Sequence, residues 1–228
     1  MENLPETIEI ETAGNPAASV IWMHGLGADG NDFVPTVREL ELSGASAIRF
    51  VFPHAPMQPV TINNGQVMRA WYDVSFGDLE GRSRQADEKG VRASQAAVGK
   101  LIEREISRGT ASKNIVLAGF SQGGAIALQT GLRYPQQLAG VMALSTYLPL
   151  AESFAQEAAP ANAETPIFMV HGTHDPVVPY AMGANSKDML LQAGYAVEWH
   201  DYPMQHSLCL EEVRDIGAWL TRVLGRRG

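Results

Sequence analysis

Cysteine is nearly absent from this chain of 228 residues, because Cys209 is the only one. An intramolecular disulfide and a cysteine-based zinc site are therefore excluded, and the composition suits a reducing compartment. No apolar run approaches the length of about 18 residues that a membrane-spanning helix needs. The N-terminal residues 1–6 are acidic and polar, unlike a signal peptide. We therefore expect a cytoplasmic protein without stable membrane association.

Positive charge is also scarce. The chain has 17 Lys and Arg against 25 Asp and Glu, a formal net charge of −8, and its only basic run is the pair Arg226 and Arg227. Such a chain is not expected to bind nucleic acid or an anionic membrane surface. Because 45% of the residues are apolar and only 18% are charged, we expect a single globular domain over residues 1–228.

Short apolar runs alternate with longer stretches of helical period along the whole chain. This alternation predicts an α/β fold, a mostly parallel central sheet with helices on both faces. We predict an edge strand at residues 8–12 and inner or near-inner strands at 19–24, 48–53, 114–118, 138–144, 166–171 and 196–202. The predicted helices are 32–40, 85–108, 124–133, 180–193 and 208–224.

Two long connections interrupt this alternation. Residues 54–81 show neither strand nor helical period and carry Trp71, Tyr72 and Phe76, so we expect a long loop that forms a pocket wall. The connection between residues 144 and 166 is too short for a cap domain. The sequence therefore predicts an open cleft.

The pentapeptide G-F-S-Q-G at residues 119–123 follows an apolar run and precedes a helical segment. This layout is typical of a nucleophile elbow, in which a serine projects from a sharp strand-to-helix turn flanked by small residues. A glycine-rich turn with an incidental serine is the alternative. We predict that Ser121 is a nucleophile.

A serine nucleophile needs an imidazole base and a carboxylate that orients it. In this arrangement acid and base follow the serine, each on a loop after a later strand. Asp175 follows the predicted strand 166–171, although an aspartate beside Pro176 could simply form a turn.

Six histidines are candidates for the base. His24 and His54 precede the serine in the chain. His171 and His174 lie too close to Asp175 in sequence, and His200 falls inside the last predicted strand. His206 follows the last predicted strand and precedes the final helix, so we predict it as the base; the alternative is an ordinary helix N-terminal residue.

An oxyanion hole requires two backbone N–H groups. The amide of Gln122 is available at the start of the helix after the serine. We assign the second to Leu26, in the glycine-rich loop that follows strand 19–24. The apolar loop residues Leu26, Met68 and Trp71 predict a pocket that favours short or medium acyl chains.

Two rival interpretations of these segments stay open. Residues 25–30 read G-L-G-A-D-G, the pattern of a dinucleotide-binding loop, but the next strand ends without the acidic residue that holds a ribose. His171, His174 and Asp175 could form a metal site, although their spacing matches no recognised ligand pattern. We predict no cofactor and no metal.

Five motifs in order resemble the phospholipase/carboxylesterase group of α/β-hydrolases, which includes acyl-protein thioesterases and small bacterial carboxylesterases. They are W-M-H-G-L-G-A-D-G at 22–30, R-A-W-Y-D at 69–73, G-F-S-Q-G-G at 119–124, H-G-T-H-D-P-V-V-P at 171–179 and Y-P-M-Q-H at 202–206. The resemblance implies a catalytic triad of Ser121, Asp175 and His206. It also implies that the amides of Leu26 and Gln122 form the oxyanion hole and that Trp71 lies near the acyl pocket. Many members carry glycine before the catalytic histidine, where this chain has Gln205.

The resemblance implies a serine carboxylesterase that acts on a small-molecule ester through an acyl-enzyme. Acyl-protein thioesterase or lysophospholipase activity with the same triad is the first alternative, and non-catalytic binding of a small molecule is the second. The family is also compatible with a homodimer. We expect Gln205 to change the dihedral angles of its loop or add a polar side chain at the mouth of the cleft, and so to affect substrate preference more than catalysis.

Overall fold

The apolar runs form nine strands within residues 4–75, 77 and 87–225, the part of the chain that the computed structural model describes. The strands are β1 (Thr7–Glu11), β2 (Ala18–Met23), β3 (Ile48–Pro53), β4 (Met57–Val60), β5 (Gln66–Arg69), β6 (Ile115–Phe120), β7 (Gly140–Leu144), β8 (Ile167–Gly172) and β9 (Val197–Tyr202). Five of them, β2, β3, β6, β7 and β8, are buried along almost their whole length. Strands covered on both faces read as continuous apolar runs, which is why the sequence located them.

Seven strands form one sheet in the order β1-β3-β2-β6-β7-β8-β9. All neighbours run parallel except β1, which pairs antiparallel with β3 at one edge. The predicted edge strand is confirmed. The prediction that residues 196–202 form an inner or near-inner strand was wrong, because β9 is the other edge and is only half-buried.

Helices cover both faces of this sheet, as predicted. They are α1 (Glu88–Ser107), α2 (Gln122–Gly131), α3 (Ala151–Glu157), α4 (Tyr180–Gln192) and α5 (Leu210–Val223). Alternate residues of β2 point to opposite faces, so Ile21 packs in the core with α1 and α2 whereas Trp22 packs in the core with α5. No helix within the described ranges is long and apolar enough to cross a bilayer.

The helix predicted at residues 32–40 is instead a short 3-10 helix, Pro35–Glu39. The helical segment begins at Pro35, a residue common at the first position of a helix, and Leu40 is already extended, so only five residues are left for a 3-10 helix. The helix predicted from residue 85 is α1, which begins at Glu88 after the side chain of Asp87 accepts a hydrogen bond from the Gly90 N–H. Residues 85 and 86 lie outside the described residues.

The connection expected to lack regular structure contains a hairpin. Strands β4 and β5 pair antiparallel, and the five residues between them form a short 3-10 helix, Thr61–Asn63, followed by Asn64 and Gly65 with φ of 55° and 76°. Pro59 within β4 obscures the strand pattern in the sequence. Phe76, proposed as part of a pocket wall, lies outside the described residues. The connection from 144 to 166 holds the seven-residue helix α3 and a 3-10 helix, Pro160–Asn162, and no cap domain.

The sheet has one topological switch point, where the chain moves from β3 across β2 to β6. Ligands of open α/β sheets bind at the carboxyl ends of the strands beside such a point. Met23 at the end of β2 pairs with Gly119 near the end of β6. The oxyanion loop after β2 and the elbow after β6 therefore emerge side by side.

Candidate active site

Ser121 occupies a strained turn between β6 and α2. Its φ of 55° and ψ of −122° are rarely adopted by a residue with a side chain. A Cβ on Gly119 would lie 2.1 Å from the carbonyl group of Gly123, and one on Gly123 would lie 2.3 Å from the carbonyl oxygen of Met23. Both glycines are therefore required by close backbone approach. The turn is held by the Ser121 N–H, which donates to the Leu144 carbonyl at 2.9 Å.

The structure brings Asp175 and His206 together. Asp175 Oδ2 lies 2.6 Å from His206 Nδ1, and Asp175 Oδ1 accepts from the N–H groups of Val177 and Val178 at 2.8 and 2.9 Å. Burial acts to raise the pKa of Asp175, but these hydrogen bonds and the nearby imidazole of His206 outweigh it and lower the pKa. Because the ionised carboxylate only accepts, Nδ1 of His206 carries a proton and Nε2 is left to act on a substrate proton.

His206 reaches the elbow through the residue beside the serine. Its ring lies 4.6 Å, centroid to centroid, from the ring of Phe120. Ser121 Oγ itself makes no hydrogen bond within the described part of the chain. Substrate-free sites often show such open spacing between nucleophile and base. The predicted nucleophile, base and acid thus lie on the loops after β6, β9 and β8, at one edge of the sheet.

The two predicted oxyanion amides also lie at this edge. A Cβ on Gly25 would be 3.4 Å from Ser121 Cβ, which places the loop of Leu26 against the nucleophile. The Leu26 N–H has no hydrogen-bond acceptor among the described residues. Gln122 is the first residue of α2, where backbone N–H groups lack an acceptor within the helix. Both amides are therefore available to a substrate oxygen.

His24, which we had set aside as a base, fixes the oxyanion loop. It is 1% exposed, and its Nε2 accepts from the Ala55 N–H at 3.0 Å. Nδ1 must then carry the proton, and it donates to the Gly25 carbonyl at 2.7 Å. Burial lowers the pKa of His24 and keeps the ring neutral. The only sequence signal for this role is the position of His24 directly after a buried strand.

Met68 and Trp71, two of the three predicted pocket residues, have different surroundings. Met68 is half-buried on β5, and its Sδ would lie 3.6 Å from a Cβ on Gly27 in the oxyanion loop. Trp71 does not line a pocket as predicted, because it is 1% exposed and its Nε1–H donates to the His24 carbonyl at 2.9 Å. This hydrogen bond satisfies the buried indole N–H and ties Trp71 to the residue that precedes the oxyanion loop.

Gln205 leaves its loop with an ordinary backbone. It is not among the described residues with positive φ, so it does not adopt the backbone conformation that favours glycine. The change in dihedral angles relative to family members with glycine stays a prediction. Its side chain is exposed. The absence of glycine before His206 therefore adds a polar group at the surface without straining the base.

The rival interpretations find different explanations in the structure. A Cβ on Gly30 would lie 2.6 Å from the Phe52 carbonyl oxygen, so the third glycine of G-x-G-x-x-G packs against the end of β3. His171 is buried and its Nε2 lies 2.9 Å from the Val178 carbonyl. His174 is exposed. Across residues 4–75, 77 and 87–225, no three His, Cys, Asp or Glu side chains form a group that could hold a metal ion.

The fold and the site together define an α/β-hydrolase: the sheet is mostly parallel, a strained serine follows a central strand, and an Asp–His pair lies on later loops. A family model described as Phospholipase/Carboxylesterase matches residues 5–224. The chain therefore belongs to the phospholipase/carboxylesterase family and is a serine hydrolase.

Similar proteins agree with this assignment. Acyl-protein thioesterase 1 of Neurospora crassa is 44% identical over 214 residues, which cover 91% of this chain and 87% of that protein. Carboxylesterase SOBER1 of Arabidopsis thaliana is 36% identical over 206 residues, 90% of each chain. The crystal structure of SOBER1 aligns with a TM-score of 0.81 and covers 91% of this chain and 99% of that one.

Proposed function

We propose that the chain hydrolyses carboxylic esters of short to medium acyl chains through an acyl-enzyme on Ser121. The observation that carries the proposal is the 2.6 Å contact between the buried carboxylate of Asp175 and His206, on the same sheet edge as the strained Ser121. The half-buried apolar side chains of Leu26 and Met68 beside the oxyanion loop support an apolar acyl group.

The reaction follows from the placement of these groups. His206 Nε2 takes the proton of Ser121 Oγ as this oxygen bonds to the ester carbonyl carbon, and the N–H groups of Leu26 and Gln122 bind the resulting oxyanion. The carbon–oxygen bond to the alcohol then breaks, and His206 returns the proton to the departing oxygen. Water, activated by His206 in the same way, attacks the acyl-enzyme and releases the acid and free Ser121.

Thioester hydrolysis is the second candidate, and the identity to acyl-protein thioesterase 1 of Neurospora crassa favours it. The same groups would act, with a thiol as the leaving group. A cytoplasmic location belongs to the proposal and is supported by the single cysteine. The homodimer stays a prediction.

The test uses p-nitrophenyl esters of increasing chain length, a matched ester and thioester with one acyl group, and a serine-directed phosphonate. We expect a burst of product, label on Ser121 by mass spectrometry, and loss of both in Ser121→Ala. Ser43→Ala, which changes an exposed serine, is the control and should keep full activity. Full activity in Ser121→Ala, or label at another residue, contradicts the proposal. The ratio of kcat/KM for the matched pair decides between ester and thioester.

A further inference from the structure

The two predicted oxyanion amides belong to separate loops, yet both loops are tied to one short segment. This crosspiece, residues 69–72, begins at the last residue of β5. On one side the Gly27 N–H donates to the Arg69 carbonyl at 2.9 Å, directly beside Leu26. On the other side Trp71 and Tyr72 meet the side chain of Gln122.

The side chain of Gln122 bonds the crosspiece as a neighbouring strand would. Its Oε1 accepts from the Trp71 N–H at 3.0 Å, and its Nε2 donates to the Tyr72 carbonyl at 2.8 Å. An amide is suited to this task because it offers an acceptor and donors together. Gln122 is 5% exposed, so no water replaces these bonds if they are lost. The side chain of Gln122 therefore holds in place the residue whose backbone N–H is predicted to bind the oxyanion.

The indole of Trp71 bonds the crosspiece to the other loop. Its Nε1–H donates to the His24 carbonyl at 2.9 Å, at the point where β2 turns into the oxyanion loop. The crosspiece is itself anchored, since the Ala70 N–H donates to the Pro56 carbonyl at 3.0 Å and Ser94 Oγ donates to the Trp71 carbonyl. Trp71 therefore contacts both loops, through its backbone on one side and its indole on the other.

We propose that Trp71 and the side chain of Gln122 are positioning residues that set the distance between the oxyanion amides of Leu26 and Gln122. This inference rests on the proposed function. Hydrogen bonds stabilise an oxyanion only if the donor N–H groups are correctly positioned, and a displacement of such a group by about 1 Å can lower the rate on the order of 100-fold. Because Trp71 and Gln122 are only 1% and 5% exposed, we expect neither side chain to contact the acyl group. Their loss should lower stabilisation of the transition state and leave binding of the ground state unchanged.

The test compares two conservative variants with matched controls. Trp71→Phe keeps an aromatic ring but removes the indole N–H, and Gln122→Met keeps the length but removes both bonds. The controls are Trp219→Phe, also 1% exposed but located on α5, and Gln129→Met, 0% exposed on the same helix as Gln122. We expect kcat for a p-nitrophenyl ester to fall by about 10- to 100-fold in the two variants, with KM within about twofold. The controls should keep kcat.

A second measurement separates positioning from general damage. A trifluoromethyl ketone forms a tetrahedral adduct with an oxyanion on the serine, so its inhibition constant should rise in each variant by the factor by which kcat/KM falls. The pH profile of kcat/KM should stay unchanged, because the Asp175–His206 contact is not altered. An unchanged kcat and inhibition constant, or an effect on KM alone, overturns the positioning role. If one variant fails to fold, the other decides the question.

The two proposals can fail separately. If the wild-type protein gives no phosphonate label on Ser121 and no turnover, the proposed function fails. If the wild-type protein is labelled and active while Trp71→Phe and Gln122→Met match it, only the crosspiece inference fails.

Discussion

Glu212, in the first turn of α5, is a carboxyl group buried without a partner. It is 0% exposed, and neither of its oxygens has a hydrogen-bond partner among the described residues. Burial raises its pKa from the ordinary value of 4.5 to about 8, while the Cys209 backbone amide, whose geometry falls short of a hydrogen bond, lowers it only in part. We therefore expect Glu212 to be protonated in the folded protein at neutral pH.

When folding raises the pKa of an acid, the free energy of unfolding decreases as the pH rises. Below about pH 4.5 the folded and unfolded states are both protonated, and the contribution of Glu212 to stability is fully present. As the pH rises towards 8, the unfolded state loses its proton and the folded state does not, so the free energy of unfolding falls. The limit is about 1.4 kcal/mol per pH unit, which gives about 4 kcal/mol at most across three units.

Glu212→Gln removes this titration while keeping a neutral side chain of the same shape. We expect the free energy of unfolding of the variant, relative to wild type, to increase by a few kcal/mol between about pH 5 and about pH 8. Urea unfolding followed by tryptophan fluorescence at several pH values measures this difference. Glu211→Gln, at the exposed neighbour, should differ from wild type by only about 0.5 kcal/mol throughout. A difference for Glu212→Gln that does not change with pH would refute the reasoning.

Three further substitutions test the acid, the elbow and an open position on α1. Asp175→Asn should lower kcat/KM for an ester by on the order of 10⁴-fold, because His206 loses the carboxylate that fixes its tautomer. Since the folded pKa of Asp175 is lowered, its carboxylate stabilises the fold above the ordinary pKa, and this term is lost as the pH falls through the folded value; acid unfolding of Asp175→Asn should lack it. Gly123→Ala would place a Cβ 2.3 Å from the Met23 carbonyl oxygen, so we expect thermal unfolding at a much lower temperature and no ester turnover. Gly99→Ala, where the space is open, should stabilise α1 by about 0.5–1 kcal/mol. An active, stable Gly123→Ala protein would show that the elbow can accommodate a Cβ at position 123 and contradict this prediction.

The sheet was predictable because its inner strands are buried on both faces. Continuous apolar runs such as Ile48–Pro53 leave little choice of structure, and the predicted bounds of this strand are those observed. The β4–β5 hairpin was not predictable, since its strands have four residues each and one contains Pro59. The helix predicted at 32–40 was wrong for a related reason: its apolar residues pack against the sheet, but the helical segment begins at Pro35 and Leu40 is already extended, which leaves only a short 3-10 helix.

The placement of the acid and base followed from topology. Parallel strands all end at one edge of the sheet, so a residue directly after β8 and one directly after β9 must lie near each other. That reasoning needs only the order of the strands and no side-chain detail. It therefore located Asp175 and His206 but gave no information about Trp71, because an aromatic residue in a loop is equally suited to line a pocket or to fill the core.

The elbow and the oxyanion hole are built by different means, and this limits what a motif can reveal. The elbow depends on backbone approach, so its requirement for glycine at 119 and 123 is visible in the sequence. On this proposal, the spacing of the oxyanion amides depends on hydrogen bonds between side chains and backbone, at His24, Trp71 and Gln122, and no local pattern encodes those bonds. A chain can therefore keep G-x-S-x-G and the complete triad and still lose most of its rate through one buried substitution in the crosspiece.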